Sequence, residues 1–166
     1  VTSWGVPGFT PEMLAAADSL RIVGHAAGSV KHIMPKAGYD RRIVVLSASS
    51  VLADSVAEYT LWAMLRMQRE LYRYDPEMKA ARTWSHGARG FSNELYYKRV
   101  GLVSASMIGR RMIELLKPLH CDVMVYDPYL SEAEARALGV HLVSLEDLFA
   151  TSDIVSVHAP ITPETK

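Results

Sequence analysis

The chain has 166 residues, enough for one compact domain or for one domain and part of another. Its 18 lysine and arginine residues balance its 18 aspartate and glutamate residues, so its net charge is zero. A neutral chain gives no electrostatic reason to expect a nucleic acid or an anionic membrane as partner, and a small molecule is the better expectation.

The single cysteine, Cys121, cannot form an internal disulfide, and the apolar residues near it predict a buried thiol in a reducing compartment. The sequence shows no basic and apolar leader, and its apolar runs are far shorter than the roughly 20 residues of a membrane span. We therefore expect a cytoplasmic protein. Because the chain starts at Val1 rather than methionine and its last motif stops abruptly at Lys166, we also expect it to be a piece of a longer protein.

Residues 1–48 are predicted to belong to a domain of their own. Residues 14–17 are typical of a helix end, and residues 21–24 and 43–46 are typical of strands. A loop of small residues, 26–29, lies between the two predicted strands.

A long helix follows. Ser55 with Glu58 three residues later matches a capping box, and the residues after it are apolar nearly all round the predicted helix. Such a helix is either a central core helix or part of a subunit interface. We favour the interface, because a helix that flanks a sheet normally keeps one polar face. Residues 84–93, rich in glycine, serine and charge, are predicted to form an exposed loop.

From Arg99 onward, short apolar runs alternate with amphipathic helices, which is typical of a parallel sheet with crossover helices. The predicted strands are residues 99–104, 122–126, 140–143 and 154–157. The first predicted helix is residues 107–118, and Ser131 and Ser144 are predicted to cap two shorter ones. The fold class is therefore α/β, a doubly wound parallel sheet of the Rossmann type.

The turn after the first of these strands carries the chemistry. In a dinucleotide-binding fold the sequence G-x-G-x-x-G stands here, and the corresponding residues are Ser104, Ser106 and Gly109, so only the third glycine is present. The context of strand, turn and helix still favours diphosphate binding at the helix N-terminus. Serine adds a Cβ that narrows the turn, but its hydroxyl can donate to a phosphate oxygen.

Asp127 ends the next predicted strand, about 20 residues on, where an acidic side chain accepts hydrogen bonds from the adenosine ribose. A carboxylate there repels the 2′-phosphate of NADP, so we predict NAD as the cofactor. The alternative is that Asp127 is an ordinary turn residue before Pro128.

Together, five segments resemble the D-isomer-specific 2-hydroxyacid dehydrogenase family, which includes phosphoglycerate, glycerate and formate dehydrogenases. The likeness runs over residues 20–166, and its segments are residues 24–29, 55–58, 100–109, 125–129 and 152–165. It implies an NAD-binding Rossmann domain, here partial at 49–166, inserted in a flavodoxin-like substrate domain, here a remnant at 1–48. It also implies hydride transfer between NAD(H) and a 2-hydroxy or 2-keto acid, and a homodimer formed through the long helix.

The resemblance also implies site residues. Ala27 and Gly28 would bind the substrate carboxylate through their amides, and Asp127 would bind the ribose. The remaining cofactor residues would be Ser104, Ala105, Ser106, Met107 and Ile108 along the diphosphate, His158, Ala159 and Pro160 beside the adenosine, and Thr165 near the cofactor. Many relatives have arginine where His25 stands, and most keep the first two glycines of the turn.

The family's catalytic arginine, acidic residue and histidine belong to segments after the last motif, so we assign no catalytic residue and do not promote His25, His120 or His158. No pair of histidines has the spacing of a metal site, so we predict no metal site. The substituted glycines motivate one alternative, an NAD(H)-sensing interaction protein similar to the C-terminal-binding-protein corepressors. A cofactor-free structural relic is the third hypothesis, and the sequence does not identify the 2-hydroxy acid.

Overall fold

The computed structural model describes residues 1–83 and 93–161. The chain divides into two compact units, Val1–Asp54 and Ser55–Lys166. The domain boundary predicted from the sequence, between residues 48 and 49, coincides with the start of a long helix, whereas the two units meet within that helix, after Asp54.

The first unit is built on two parallel strands. Its elements are α1 (Pro11–Ala15), β1 (Ile22–His25), α2 (Lys36–Asp40) and β2 (Val44–Ser47). Both strands lie one residue later than predicted, and the sequence analysis did not predict α2. The strands pair in register, with Ile22 opposite Val44. A small core of Leu14, Val23, Met34 and Ile43 fills this unit. Its assignment as a flavodoxin-like remnant stays a prediction.

Helix α3 (Ser49–Gln68) begins earlier than predicted, so the capping box at Ser55 is wrong. The helix starts there because the Ser49 amide donates to Ser47 Oγ at 3.1 Å and the Ala48 amide donates to the carbonyl oxygens of His25 and Ala27, so the chain turns into the helix directly after β2. Although α3 has 20 residues, none of the helices in the described residues is long and apolar enough to cross a membrane.

The apolar surface of α3 is divided. Ala57 and Met64 are buried in the core of the second unit, while Tyr59, Trp62 and Met67 are exposed. The helix is therefore not a central core helix within the described chain, and its role in a subunit interface stays a prediction. Helix α4 (Leu71–Ala81), which the sequence analysis did not predict, follows with no buried residue. The predicted loop at 84–93 lies, apart from Asn93, outside the described residues.

The second unit contains the predicted parallel sheet. Its strands are β3 (Arg99–Val103), β4 (Asp122–Tyr126), β5 (His141–Leu142) and β6 (Ile154–Val157). Its crossover helices are α5 (Met107–Leu116), α6 (Glu132–Leu138) and α7 (Leu145–Thr151). A 3-10 turn, Lys117–Leu119, replaces the end of the first predicted helix because Pro118 cannot continue it. The predicted capping box at Ser131 is confirmed.

The strand order is β5-β4-β3-β6, and all neighbouring pairs are parallel. The chain moves from β3 outward to β5 and then returns to the other side of β3. Since crossovers are right-handed, the returning helix α7 lies on the opposite face of the sheet from α5. In open α/β sheets, ligands bind at the carboxyl ends of the strands where the order reverses, which here is between β3 and β6.

Both faces of β3 are closely packed. Val100 and Leu102 are fully buried in a core that includes Met112 and Leu116 of α5. Gly101 faces α7, since a Cβ there would lie 2.6 Å from Leu148 Cδ2. This packing holds the end of β3, and the turn that follows it, in a defined position.

Candidate functional site

The turn after β3 is anchored to β4 at its first residue. The Ser104 amide donates to the Tyr126 carbonyl oxygen at 2.8 Å. Ser104 has a φ of +83°. Glycine adopts this backbone conformation readily, whereas residues that have a Cβ atom rarely adopt it. A serine therefore holds the left-handed conformation that a glycine usually provides at the start of this turn.

Gly109 is the glycine that the geometry requires. A Cβ at this position would overlap the carbonyl oxygen of Ser104 and lie 3.2 Å from its carbonyl carbon. The first turn of α5 therefore approaches the end of β3 more closely than any other residue would allow. Ser106 caps this helix, because its Oγ accepts a hydrogen bond from the Gly109 amide at 3.3 Å.

Three backbone amides at the start of α5 have no hydrogen-bond acceptor in residues 1–83 and 93–161. Among the described residues, none accepts a hydrogen bond from the amides of Ser106, Met107 or Ile108. These donors lie at the positive end of the helix dipole, which is an anion-binding arrangement. The Ala105 amide differs, since it donates to the side chain of Asp127.

Asp127 follows β4 and lies at the mouth of the turn. Its Oδ2 accepts hydrogen bonds from the Ala105 amide at 2.8 Å and from Ser104 Oγ at 3.1 Å. Its Oδ1 accepts from the Tyr129 amide at 2.9 Å. The half-buried carboxylate is thus held in one orientation beside the turn.

Arg110 is a neighbour of this site that the sequence analysis did not identify. Its Nε donates to the Ala105 carbonyl oxygen at 3.0 Å, so the guanidinium lies against the turn. The pKa of Glu134 is lowered, first by hydrogen bonds from Ser131 and further by the charge of Arg110, while the charge of Asp127 opposes the shift. A basic residue directly after the third glycine was the signal available in the sequence.

The residues after β6 lie on the other side of β3 from Asp127. The His158 amide donates to the Val103 carbonyl oxygen at 2.9 Å, and its Nε2 lies 3.1 Å from Ser156 Oγ. Burial lowers the pKa of His158 below its ordinary value, because desolvation disfavours the charged imidazolium. Ala159 is half-buried, and Pro160 is exposed. Thr165 lies outside the described residues.

The predicted substrate loop belongs to the first unit. The Ala27 carbonyl oxygen accepts from the Ala48 amide at 3.1 Å, and the Gly28 carbonyl oxygen accepts from Ser49 Oγ at 3.0 Å. In the described part of the chain, the amides of Ala27 and Gly28 have no acceptor. His25 is only 3% exposed, and its Nδ1 is hydrogen-bonded to Thr2 Oγ1.

The turn of the second unit fits a dinucleotide. The close approach at Gly109 and the three free amides suit a diphosphate, and the fixed carboxylate of Asp127 suits a ribose hydroxyl. The side chains of Ser104 and Ser106 point to Asp127 and to the Gly109 amide, so both hydroxyls are engaged within the protein. Neither hydroxyl accepts a hydrogen bond from the amides of Ser106, Met107 or Ile108.

The sequence is similar to curated D-3-phosphoglycerate dehydrogenases. It is 36% identical over 155 residues to the enzyme of Mycobacterium bovis and 33% identical over 154 residues to that of Archaeoglobus fulgidus, and each alignment covers 93% of this chain. The chain spans 29% of the length of both relatives.

Solved structures share the fold. The apo-structure of D-lactate dehydrogenase from Escherichia coli matches 98% of this chain and 51% of its own, with 27% identity and a TM-score of 0.71. D-lactate dehydrogenase from Aquifex aeolicus, complexed with NAD and lactic acid, matches 95% of this chain and 46% of its own, with 25% identity and a TM-score of 0.76. The sequence profile of the D-isomer specific 2-hydroxyacid dehydrogenase NAD binding domain matches residues 61–166, and the chain therefore belongs to that family.

Proposed function

We propose that the protein containing this chain transfers a hydride between NAD(H) and a 2-hydroxy acid or the corresponding 2-keto acid. The observation that supports this most directly is the carboxylate of Asp127, held 2.8 Å from the Ala105 amide beside a turn with free backbone donors. NAD supplies the hydride acceptor or donor at its nicotinamide ring when it is bound. The names of the relatives favour a dehydrogenase over an NAD(H)-sensing interaction protein.

Each part of the turn has a role in this proposal. The amides of Ser106, Met107 and Ile108 bind the diphosphate, since they are free donors at a helix N-terminus. Asp127 accepts a hydrogen bond from the adenosine ribose and repels a 2′-phosphate, which selects NAD over NADP. The adenosine is bordered by the residues that follow β6, the strand paired with β3: His158, Ala159 and Pro160.

The amides of Ala27 and Gly28 are proposed to bind the substrate carboxylate. Among the described residues, these two amides have no hydrogen-bond acceptor, which supports the proposal. The carbonyl oxygens of the same two residues accept hydrogen bonds that hold the loop in place. Ala27 is 0% exposed and Gly28 is half-buried, so the Gly28 amide is the more accessible donor for a carboxylate. The substrate class is stated only as a 2-hydroxy acid.

We propose no proton donor for the reaction among the described residues. His25 is buried and bonded to Thr2, and His158 Nε2 is engaged with Ser156. The arginine, acidic residue and histidine that the family resemblance implies have no counterpart among the site residues assigned here.

The test uses the full-length protein. Titration with NADH, followed by fluorescence, measures binding, and a panel of 2-keto acids with NADH measures turnover. We expect Asp127→Asn to weaken NADH binding by roughly 10- to 100-fold, because a charge-assisted hydrogen bond contributes roughly 1.5–3 kcal/mol. Asp40→Asn, an exposed carboxylate of the first unit, is the matched control and should bind like the wild type. Absence of turnover with every keto acid would refute the proposal.

We also propose a homodimer formed through α3. Tyr59 is 66% exposed and Trp62 is 47% exposed, and their rings are 5.3 Å apart on the same helix face. Exposed aromatic residues are typical of interface centres. Sedimentation of the full-length protein should give a dimer that Trp62→Glu dissociates and that Met13→Glu, on an exposed residue of α1, leaves intact. A wild-type monomer would exclude the dimer.

We also propose a cytoplasmic location, which is expected from the single cysteine.

A further inference from the structure

The hydroxyl of Ser104 is hydrogen-bonded to Asp127, the residue proposed to accept a hydrogen bond from the adenosine ribose. Ser104 Oγ lies 3.1 Å from Asp127 Oδ2, and Asp127 is an acceptor, so the serine donates. A glycine at this point of the turn would have no such donor. The interaction is therefore a consequence of the serine substitution itself.

The acceptor capacity of Asp127 is nearly used up inside the protein. An ionised carboxylate has about four lone-pair positions. The Ala105 amide, the Tyr129 amide and Ser104 Oγ each donate to one of its oxygens. By this count about one position remains, whereas the cis-diol of a ribose presents two hydroxyl donors.

Of the three internal donors, only the Ser104 hydroxyl can leave without a change in the backbone. The two amides belong to the turn and to the chain after β4, and the Ser104 backbone is fixed by its 2.8 Å hydrogen bond to Tyr126 and by its close contact with Gly109. A rotation about χ1 of Ser104 is enough to release Asp127 Oδ2. The serine hydroxyl and a ribose hydroxyl therefore compete for the same acceptor.

We propose that Ser104 lowers the affinity of this site for NAD, because its hydroxyl stands in for a ribose hydroxyl on Asp127 and must be displaced when the cofactor binds. The inference rests on the proposed function, in which this turn binds NAD. It identifies Ser104 as a residue that sets cofactor affinity through Asp127.

Two substitutions separate the hydroxyl from the backbone. Ser104→Ala removes the competing donor and keeps the Cβ and the φ of +83°, whereas Ser104→Gly also relieves the backbone strain. In the full-length protein we expect Ser104→Ala to bind NADH about fivefold more tightly than the wild type, the scale of one hydrogen bond. Ser104→Gly should bind at least as tightly as Ser104→Ala.

A matched control is available in α7. Ser144 Oγ donates to Asp147 Oδ2 at 2.8 Å, which is the same kind of serine and aspartate pair at a different place. Ser144→Ala should leave the NADH dissociation constant unchanged. A second control uses NADH analogues that lack the 2′- or the 3′-hydroxyl of the adenosine ribose. With one of the two, the gain from Ser104→Ala should disappear, because the competing ligand group is absent.

The outcomes distinguish the two proposals. If the wild type and both Ser104 variants bind no NADH, the proposed function fails and this inference with it. If the wild type binds NADH and Ser104→Ala binds equally or more weakly, the function stands and the competition is refuted, since the serine would then orient Asp127 for the ribose. Thermal unfolding checks each variant. If Ser104→Ala does not fold, Ser104→Gly is titrated with NADH and with both deoxy analogues, and a gain that does not disappear with either analogue comes from the backbone and refutes the competition.

Discussion

Replacing Gly109 with alanine tests the close approach on which the proposed cofactor site depends. The new Cβ would lie well under 3.0 Å from the carbonyl oxygen of Ser104, a separation that Cβ atoms essentially never show. The obstacle is backbone rather than the end of a flexible side chain, so it cannot move aside cheaply. Either α5 or the turn has to shift, and both carry the amides proposed to bind the diphosphate.

The expected size of the effect follows from two opposing contributions. Overpacking of this kind costs about 1–3 kcal/mol, and the upper end applies because the clash is with backbone. Alanine is favoured over glycine in a helix by about 1 kcal/mol, which offsets part of the cost, although Gly109 lies in the first turn of α5. We expect a net loss of about 2 kcal/mol in the free energy of unfolding. NADH binding should weaken at least tenfold, since the donors move.

Urea unfolding and NADH titration of the full-length protein measure the two effects. Gly101→Ala is the matched control, because its Cβ would meet the side chains of Leu148 and Ser152, each at 2.6 Å, and not the turn. That variant should lose stability, and its NADH affinity should fall less than that of Gly109→Ala, because its clash is with side chains and not with the turn itself. If Gly109→Ala unfolds at the wild-type urea concentration and binds NADH normally, the turn does not depend on the missing Cβ and the reasoning is refuted.

Three further predictions concern single side chains. Burial lowers the pKa of His158 below its usual 6.5, so the unfolded chain binds the proton more readily, and stability should fall as the pH drops below about 6.5. His158→Asn should flatten that dependence in urea unfolding between pH 5 and 8, and an unchanged slope would contradict it. Burial raises the pKa of the Cys121 thiol, whose Sγ donates a hydrogen bond to the Leu95 carbonyl oxygen at 3.3 Å. Iodoacetamide should therefore modify Cys121 more slowly than it modifies free cysteine at pH 8. Equal rates of modification would argue against burial of the thiol. Asp127→Ser should improve NADPH binding relative to NADH binding, because it removes the carboxylate that repels the 2′-phosphate and leaves Arg110 beside the turn. If the ratio of the NADPH and NADH dissociation constants stays at the wild-type value, neither residue has the role proposed here.

Most of the second unit follows from local sequence patterns. The predicted strands at 122–126 and 154–157 match β4 and β6, and the capping box at Ser131 and the glycine after α6 place that helix correctly. These features depend on residues within a few positions of one another, which is the range over which periodicity and capping act.

The error at Ser55 has the opposite origin. Ser55 and Glu58 match a capping box, but α3 already begins at Ser49, because the Ala48 amide bonds to carbonyl oxygens of the loop after β1. Those partners are more than 20 positions away in the sequence. A local signal inside a helix was therefore mistaken for its start.

The order of residues was enough to predict a parallel α/β fold, a turn into a helix after the strand at Arg99, and an acidic residue at the end of the next strand. Whether that acidic residue is free to act depended on the folded chain. Ser104 and Asp127 are 23 positions apart and meet because β3 and β4 pair in parallel, with Val103 opposite Tyr126. Strand pairing brings distant donors onto one carboxylate, and only the packed structure shows which of its acceptor positions are already filled.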